Sequence, residues 1–318
     1  MKLEHYLIAM ALAFSSAHAA YPDKPIRLVV PFAPGGNIDI TARIVAPAIS
    51  ESLGQQVLVD NRGGAGGRIG TEMVAKAVPD GYTLLLGSSG ALTMNPVFSP
   101  LKSYDPVKDF APTSLVSIVP LVLVVHPSLP VKTTKEFIAL LKSRPGQVMM
   151  ASAGTGSTTH LTGELFQVIT GTTLTHVPFR GSGPATIELI GGHTQCMFDQ
   201  LSTSGPYVKA GKLRAIAVAA LRRSPAYPEI PTMDESSMRG FEASTYTGIF
   251  LPVATQKDIV QKVYGAVVKA VELSATKEAF AKLGSEVIKS TPEEVSARIR
   301  GDLEKWRKVQ QKTGIVID

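Results

Sequence analysis

Two glycine-rich joints, each where a buried strand hands over to a helix, constrain this chain more than any other feature. The first reads Val29-Val30-Pro31-Phe32-Ala33-Pro34-Gly35-Gly36-Asn37-Ile38-Asp39. The second reads Met149-Met150-Ala151-Ser152-Ala153-Gly154-Thr155-Gly156-Ser157-Thr158-Thr159-His160. Glycine has no Cβ, so backbone there can come close to a ligand or to another chain segment. The helix that follows offers unpaired N–H groups and the positive end of its dipole. Each joint is therefore a cradle for a small anion. Two cradles about 120 residues apart predict two lobes that face one ligand.

The rest of the chain reads as α/β. Ile26–Val30, Gln56–Val59 and Thr83–Leu86 are short apolar strands separated by helical segments. That order predicts a parallel sheet covered on both faces. Pro47 falls inside the first helix, where a kink is expected. Leu115–Ile118 and Leu121–Val125 read as two strands broken by Pro120, and form a first crossing between lobes. A second α/β unit follows: strands at Val148–Ala151, Leu174–Val177, Gln195–Phe198 and Leu213–Ala219, with helices at Lys135–Leu141 and after the second glycine loop. Phe241–Leu251 is the returning strand. The tail is helical, and Thr291-Pro292-Glu293-Glu294 starts its last helix with a capping box and proline at the first position. The lobes are expected at 20–121 with 245–318, and at 122–244.

The chain has 318 residues, 44% hydrophobic and 18% charged, enough for two packed cores. Its N-terminus has the parts of a secretory signal: Lys2, an apolar run Tyr6–Phe14, and the small residues Ser15–Ala20. Cleavage near Ala19 and a periplasmic protein are expected; an uncleaved anchor is the alternative. Cys196 is the lone cysteine, which rules out an internal disulfide and reads as core. The formal charge is +6. Its basic residues are scattered, with no basic tract interleaved with aromatics, so nucleic acid is not the expected partner. A mild positive field instead collects small anions.

In open α/β sheets ligands sit beyond the carboxyl ends of strands. Five polar, glycine-marked segments fall at such ends: Phe32–Asp39, Ser88–Thr93, Ser152–His160, Phe179–Gly183 and Asp199. Together they supply backbone N–H groups and hydroxyls but few cations, which suits a carboxylate. Asp39 reads as a helix cap partnered by Arg43 one turn on. The Asn61–Gly70 loop is glycine-rich but out of register with a dinucleotide fingerprint, and reads as a structural turn. Ser157, His160 and Asp199 invite a catalytic triad, and an exported serine hydrolase is one alternative; no G-x-S-x-G elbow is present. His160 reads more simply as a brace. No His, Asp or Glu cluster has metal-ligand spacing, and no cofactor is called for.

The chain resembles the Bug family of periplasmic solute receptors, the extracytoplasmic binding components of tripartite tricarboxylate transporters. The resemblance rests on Pro31-Phe32-Ala33-Pro34-Gly35-Gly36 with Asp39 and Ala42-Arg43, on Asn61-Arg62 through Gly70, and on Pro79-Asp80-Gly81-Tyr82-Thr83-Leu84. It continues through Tyr104–Phe110, Ser152–Leu161, His176–Gly181, Met197-Phe198-Asp199 and Ala210–Arg214. It implies a type II periplasmic-binding-protein fold: two α/β lobes, a ligand cleft, two crossover strands, and closure over a carboxylate. It also implies a monomer that is not an enzyme and that delivers a small mono-, di- or tricarboxylic acid to membrane permease components. A ligand-sensing receptor without a transport role is the other option. Carried over residue by residue, the resemblance places binding on Phe32, Ala33, Gly36, Asn37 and Asp39, and on Ser152, Ala153, Gly154, Gly156, Ser157 and His160. Ser88, Phe179 and Asp199 are expected at the variable end of the ligand.

Overall fold

A computed structural model describes residues 21–236 and 238–317. The expected signal segment, 1–19, lies outside the described residues. The element order is β1 Ile26–Val30, α1 Asn37–Leu53, β2 Val57–Asn61, α2 Arg68–Ala75, β3 Thr83–Ser88, α3 Asn95–Phe98 and β4 Phe110–Val125. Next come α4 Thr134–Ser143, β5 Met149–Ser152, α5 Thr158–Thr170, β6 Thr175–Pro178, α6 Ser182–Ile190, β7 Cys196–Gln200, α7 Leu201–Lys209 and β8 Arg214–Val218. The chain returns through β9 Ser244–Pro252 and ends with α8 Lys257–Glu272, α9 Ser274–Lys282, β10 Glu286–Val287 and α10 Pro292–Thr313.

The strands follow the path β2-β1-β3-β9-β4-β7-β5-β6, with β8 and β10 also paired to β4. β1 is parallel to β2 and β3, and β5 is parallel to β6 and β7, as expected for two βαβ units. The centre is antiparallel, where β9 pairs with β3 and β4. Strand β4 links the two halves: Phe110–Pro120 pairs with β9, while Leu121–Val125 pairs with β7 and β8. The two strands expected on either side of Pro120 are thus one. Pro120 is tolerated because it stands opposite Ser244, the first residue of β9, where the ladder changes partner. Beyond it, the Leu121 N–H already donates to the Ala243 carbonyl at 2.9 Å. Helix α1 continues through Pro47 as one element to Leu53.

Period-two side-chain alternation explains how each half is covered on both faces. Ile26, Leu28 and Val30 of β1 pack with α1 and α8, while Val29 packs on the opposite side with residues of α10. In β4, Leu121, Leu123 and Val125 face the core under α4 and α5, and Val122 and Val124 face α6 and α7. Cys196 is buried in the first of these cores. The capping box of α10 is formed: the Thr291 side chain accepts from Glu294 N at 3.2 Å, and the Glu294 carboxylate accepts from Thr291 N at 2.8 Å. Trp306 is half-buried and sits edge-on to Phe98, on the rim of its core. Thr291→Ala is expected to lower stability by about 1 kcal/mol in urea unfolding, with Thr291→Ser close to wild type.

Candidate functional site

Four helices begin around one point. Helices α1, α5, α6 and α7 start at Asn37, Thr158, Ser182 and Leu201, each directly after the C-terminal end of a strand or the short loop following it. The first turns of α1, α5 and α6, the N-cap Gln200 of α7 and the ends of β3 and β9 surround a small cavity. The first half contributes Phe32, Gly36, Asn37, Ile38 and Ser88; the second contributes Ala153, Ser157, Thr158, Ser182 and Gln200; Thr245 comes from β9. None of these side chains carries a formal charge. A helix N-terminus is equivalent to roughly half a positive charge, so four of them amount to about two. The wall can therefore neutralise an anion through main-chain dipoles, hydroxyls and amides. Room for the centre of a water molecule is only about 20 Å³, because the two halves are in contact.

That contact explains the glycines. Ala33 N donates to the Arg180 carbonyl at 2.9 Å, joining the first glycine loop to the segment after β6. A Cβ on Gly183 would stand 2.2 Å from the Pro34 carbonyl oxygen, and one on Gly66 2.2 Å from the Thr155 oxygen. The Asn61–Gly70 loop, expected as a plain structural turn, is thus a third face of the seam. It forms a tight 3-10 turn at Ala65–Gly67 and lies against the second glycine loop.

Several expected residues stand behind the wall rather than on it. Asp39 is buried, and its carboxylate accepts from Gly35 N, Arg43 and Asn61, each at 3.0–3.1 Å. Burial alone would raise its pKa, but these bonds, led by Arg43, hold it below the usual carboxylate range. It pins the first loop. Ser152 accepts from Gly154 N at 3.1 Å and bonds His176 Nε2 at 2.6 Å. His160 Nδ1 accepts from Gly156 N at 3.2 Å, and its ring stacks on His176 with centroids 3.7 Å apart. Glu164 faces its other nitrogen at 3.4 Å. These two imidazoles brace the second loop from beneath. Gly156 packs on Asn95 and Ile317. Ala33, Gly154 and Phe179 line a separate open groove, with Thr155 and Arg180.

The hydrolase alternative loses its geometry here. Ser157 Oγ caps α5 by accepting from the backbone N of His160 and bonds Thr159 Oγ1; the His160 ring is engaged elsewhere. Asp199 is fully buried on β7, bonded by Thr186 and Ser204. Burial pushes its carboxyl up to about 6 against those bonds. It does not reach the cavity, since its neighbour Gln200 takes the wall position at the strand end.

Gln200 and Thr245 line the cavity but were not expected there; Ile38, Thr158 and Ser182 lie inside three of the expected strand-end segments without having been named individually. Gln200 adjoins Asp199, which was singled out. Thr245 lies inside a strand with no turn signal beside it.

The histidine pair gives a pH prediction. Burial, then the neighbouring His160, pushes the His176 pKa down to about 4. Its folded value is below the ordinary 6.5, so the unfolded chain takes up the proton first and stability falls as pH drops from about 6.5 toward 4. The thermal midpoint is expected to fall over that window, and His176→Gln to fall less steeply; equal slopes would contradict the assignment.

The family model described as "Tripartite tricarboxylate transporter family receptor" matches residues 41–315. The protein BugT of Bordetella pertussis is 37% identical over 310 residues, covering 97% of this chain and 95% of BugT. A structure from R. palustris solved with adipate has a TM-score of 0.89 at 32% identity, covering 93% of this chain and 99% of that one. MatC from Rhodopseudomonas palustris, solved with bound malate, has a TM-score of 0.88 at 32% identity, covering 91% and 99%. The chain belongs to the tripartite tricarboxylate transporter receptor family.

Proposed function

We propose that this receptor captures a small organic carboxylate between its two halves, in the periplasm, and presents it to membrane permease components. One observation carries the reading: four helix N-termini converge on a cavity whose walls hold no charged side chain. Hydrogen bonds to ionised groups are worth roughly 1.5–3 kcal/mol each, so a few main-chain donors suffice for a small acid. That two relatives were solved with adipate and malate supports the same class.

We assign direct contact to the wall residues Phe32, Gly36, Asn37, Ser88, Ala153 and Ser157, and loop support to Asp39, Ser152, Gly156, His160 and Asp199. Ala33, Gly154 and Phe179 are assigned to the mouth, which the ligand passes as the halves part. Lobe boundaries at 121/122 and 244/245 are supported by the change of partner along β4 at Pro120 and Leu121. The hinge then lies in the two crossing strands. The working form is a monomer, in which one chain supplies the whole wall.

A thermal-shift screen of mono-, di- and tricarboxylates tests the reading. A ligand bound only by the native state, at about 100 times its Kd, adds about 2.7 kcal/mol, so at least one acid should raise the midpoint by a few degrees. No shift from any acid at millimolar concentration would overturn it. Gly183→Ala should then weaken that acid's binding by roughly tenfold or more. The new methyl sits at a helical position free of backbone strain, yet meets the Pro34 oxygen of the facing half. Unchanged affinity would show that closure contributes nothing.

A further inference from the structure

Asn37 has an atom with nothing to do. The residue is 3% exposed, opens α1 and lines the cavity. Its Oδ1 accepts from Ser202 Oγ of the other half at 2.7 Å. Its Nδ2 is buried and has no hydrogen-bond partner. The other amide on the wall is committed at both ends: Gln200 Oε1 accepts from Ser182 at 2.8 Å, and its Nε2 donates to Thr245 at 3.2 Å. Buried donors are rarely left unpaired, and one that lines a binding cavity points to an acceptor on the ligand. The bond to Ser202 forms only where the two halves meet.

We propose that Asn37 is a specificity-determining residue: through Nδ2 it selects acids that carry a second oxygen acceptor, such as a hydroxyl, an oxo group or another carboxylate, over plain alkyl or aryl acids of the same size. The proposal rests on the carboxylate-receptor reading above. The first carboxylate is held by main-chain donors that any acid satisfies equally. The amide proton is satisfied only by an acid with an oxygen in reach, and a plain acid leaves it buried and unpaired. A neutral donor suits both a hydroxyl and a carboxylate oxygen, so the criterion is acceptor chemistry rather than total charge.

The test is calorimetric titration with matched pairs: butanoate against 3-hydroxybutanoate, butanoate against succinate, and benzoate against 4-hydroxybenzoate. In the wild type, the member with the second acceptor should bind roughly tenfold tighter or more in at least one pair. Asn37→Asp keeps an oxygen for Ser202 and loses the donor; it should bring the members of a hydroxylated/plain pair that the wild type separates to within about threefold, and for the succinate pair the uncharged Asn37→Ala is the variant read. Asn37→Ala should do the same. Ser202→Ala should weaken both members while keeping their ratio above about fivefold. Each ratio is taken within one protein, so partial loss of folded material cancels, and Asn37→Asp carries the test should Asn37→Ala not fold. A wild type that shows no such preference in any of the three pairs, or Asn37 variants that retain the full ratio, overturns this inference and leaves the receptor reading standing. Silence from every acid in all three pairs and in the wider screen overturns both.

Discussion

Everything in this structure serves the aim of four helix N-termini at one point. A carboxylate buried between lobes would normally call for arginine or lysine, and each such side chain would itself need desolvation and a fixed rotamer. Here the positive potential comes from the backbone, which is already rigid. The consequence is a wall of glycine, hydroxyl and amide groups, completed by Phe32, Ile38 and Ala153, with no charged side chain on it. The charged groups that do occur nearby are one layer back. Asp39 is neutralised by Arg43 and spends its oxygens on the first glycine loop. Behind the second loop the stacked rings of His160 and His176 take the supporting role, with Glu164 facing His160.

Main-chain recognition requires close approach, and close approach sets the composition of the seam. Pro34 lies against Gly183, Gly66 against Thr155, and Ala33 against Arg180, each at backbone distance. A methyl group at Gly183 or Gly66 would occupy space that the facing half already fills. Strand β4 is the mechanical counterpart. It passes from one half to the other without a break, and on the proposed closure it would keep the halves in register as the seam parts. The partner change falls at Pro120, a residue with no N–H to lose, which is where the proposed hinge would bend.

The parts that were legible in the sequence are those encoded locally. Gly35-Gly36 and Gly154-Thr155-Gly156 stood directly after buried strands, so their role as helix-opening loops followed from spacing. The Thr291–Glu294 capping box and the βαβ order were read for the same reason. Less was legible where the wall is assembled from distant segments. Gln200 sits one step from Asp199, and the period-two alternation at the strand end decides which of the two faces inward; Ser182, three residues past Phe179, faces the cavity because it opens α6. Thr245 carries no local mark, because only the pairing of β9 with β4 brings it to the cavity. Pro120 misled in the other direction, since a proline ends a strand only where its missing N–H is required. The seam role of Gly66 was hidden because the loop it fits, at Thr155–Ser157, belongs to the other half of the chain.

The central claim is that an anion is gripped by backbone amides of converging helices. Amide chemical shifts, followed while the protein is titrated with an acid that stabilises it, test this most directly. The account predicts that the largest changes fall on the N–H groups of Gly36, Asn37, Thr158 and Ser182 together, at one common affinity. Changes centred instead on the broad groove between Pro120, Arg222 and Glu286, with those four amides unmoved, would contradict it.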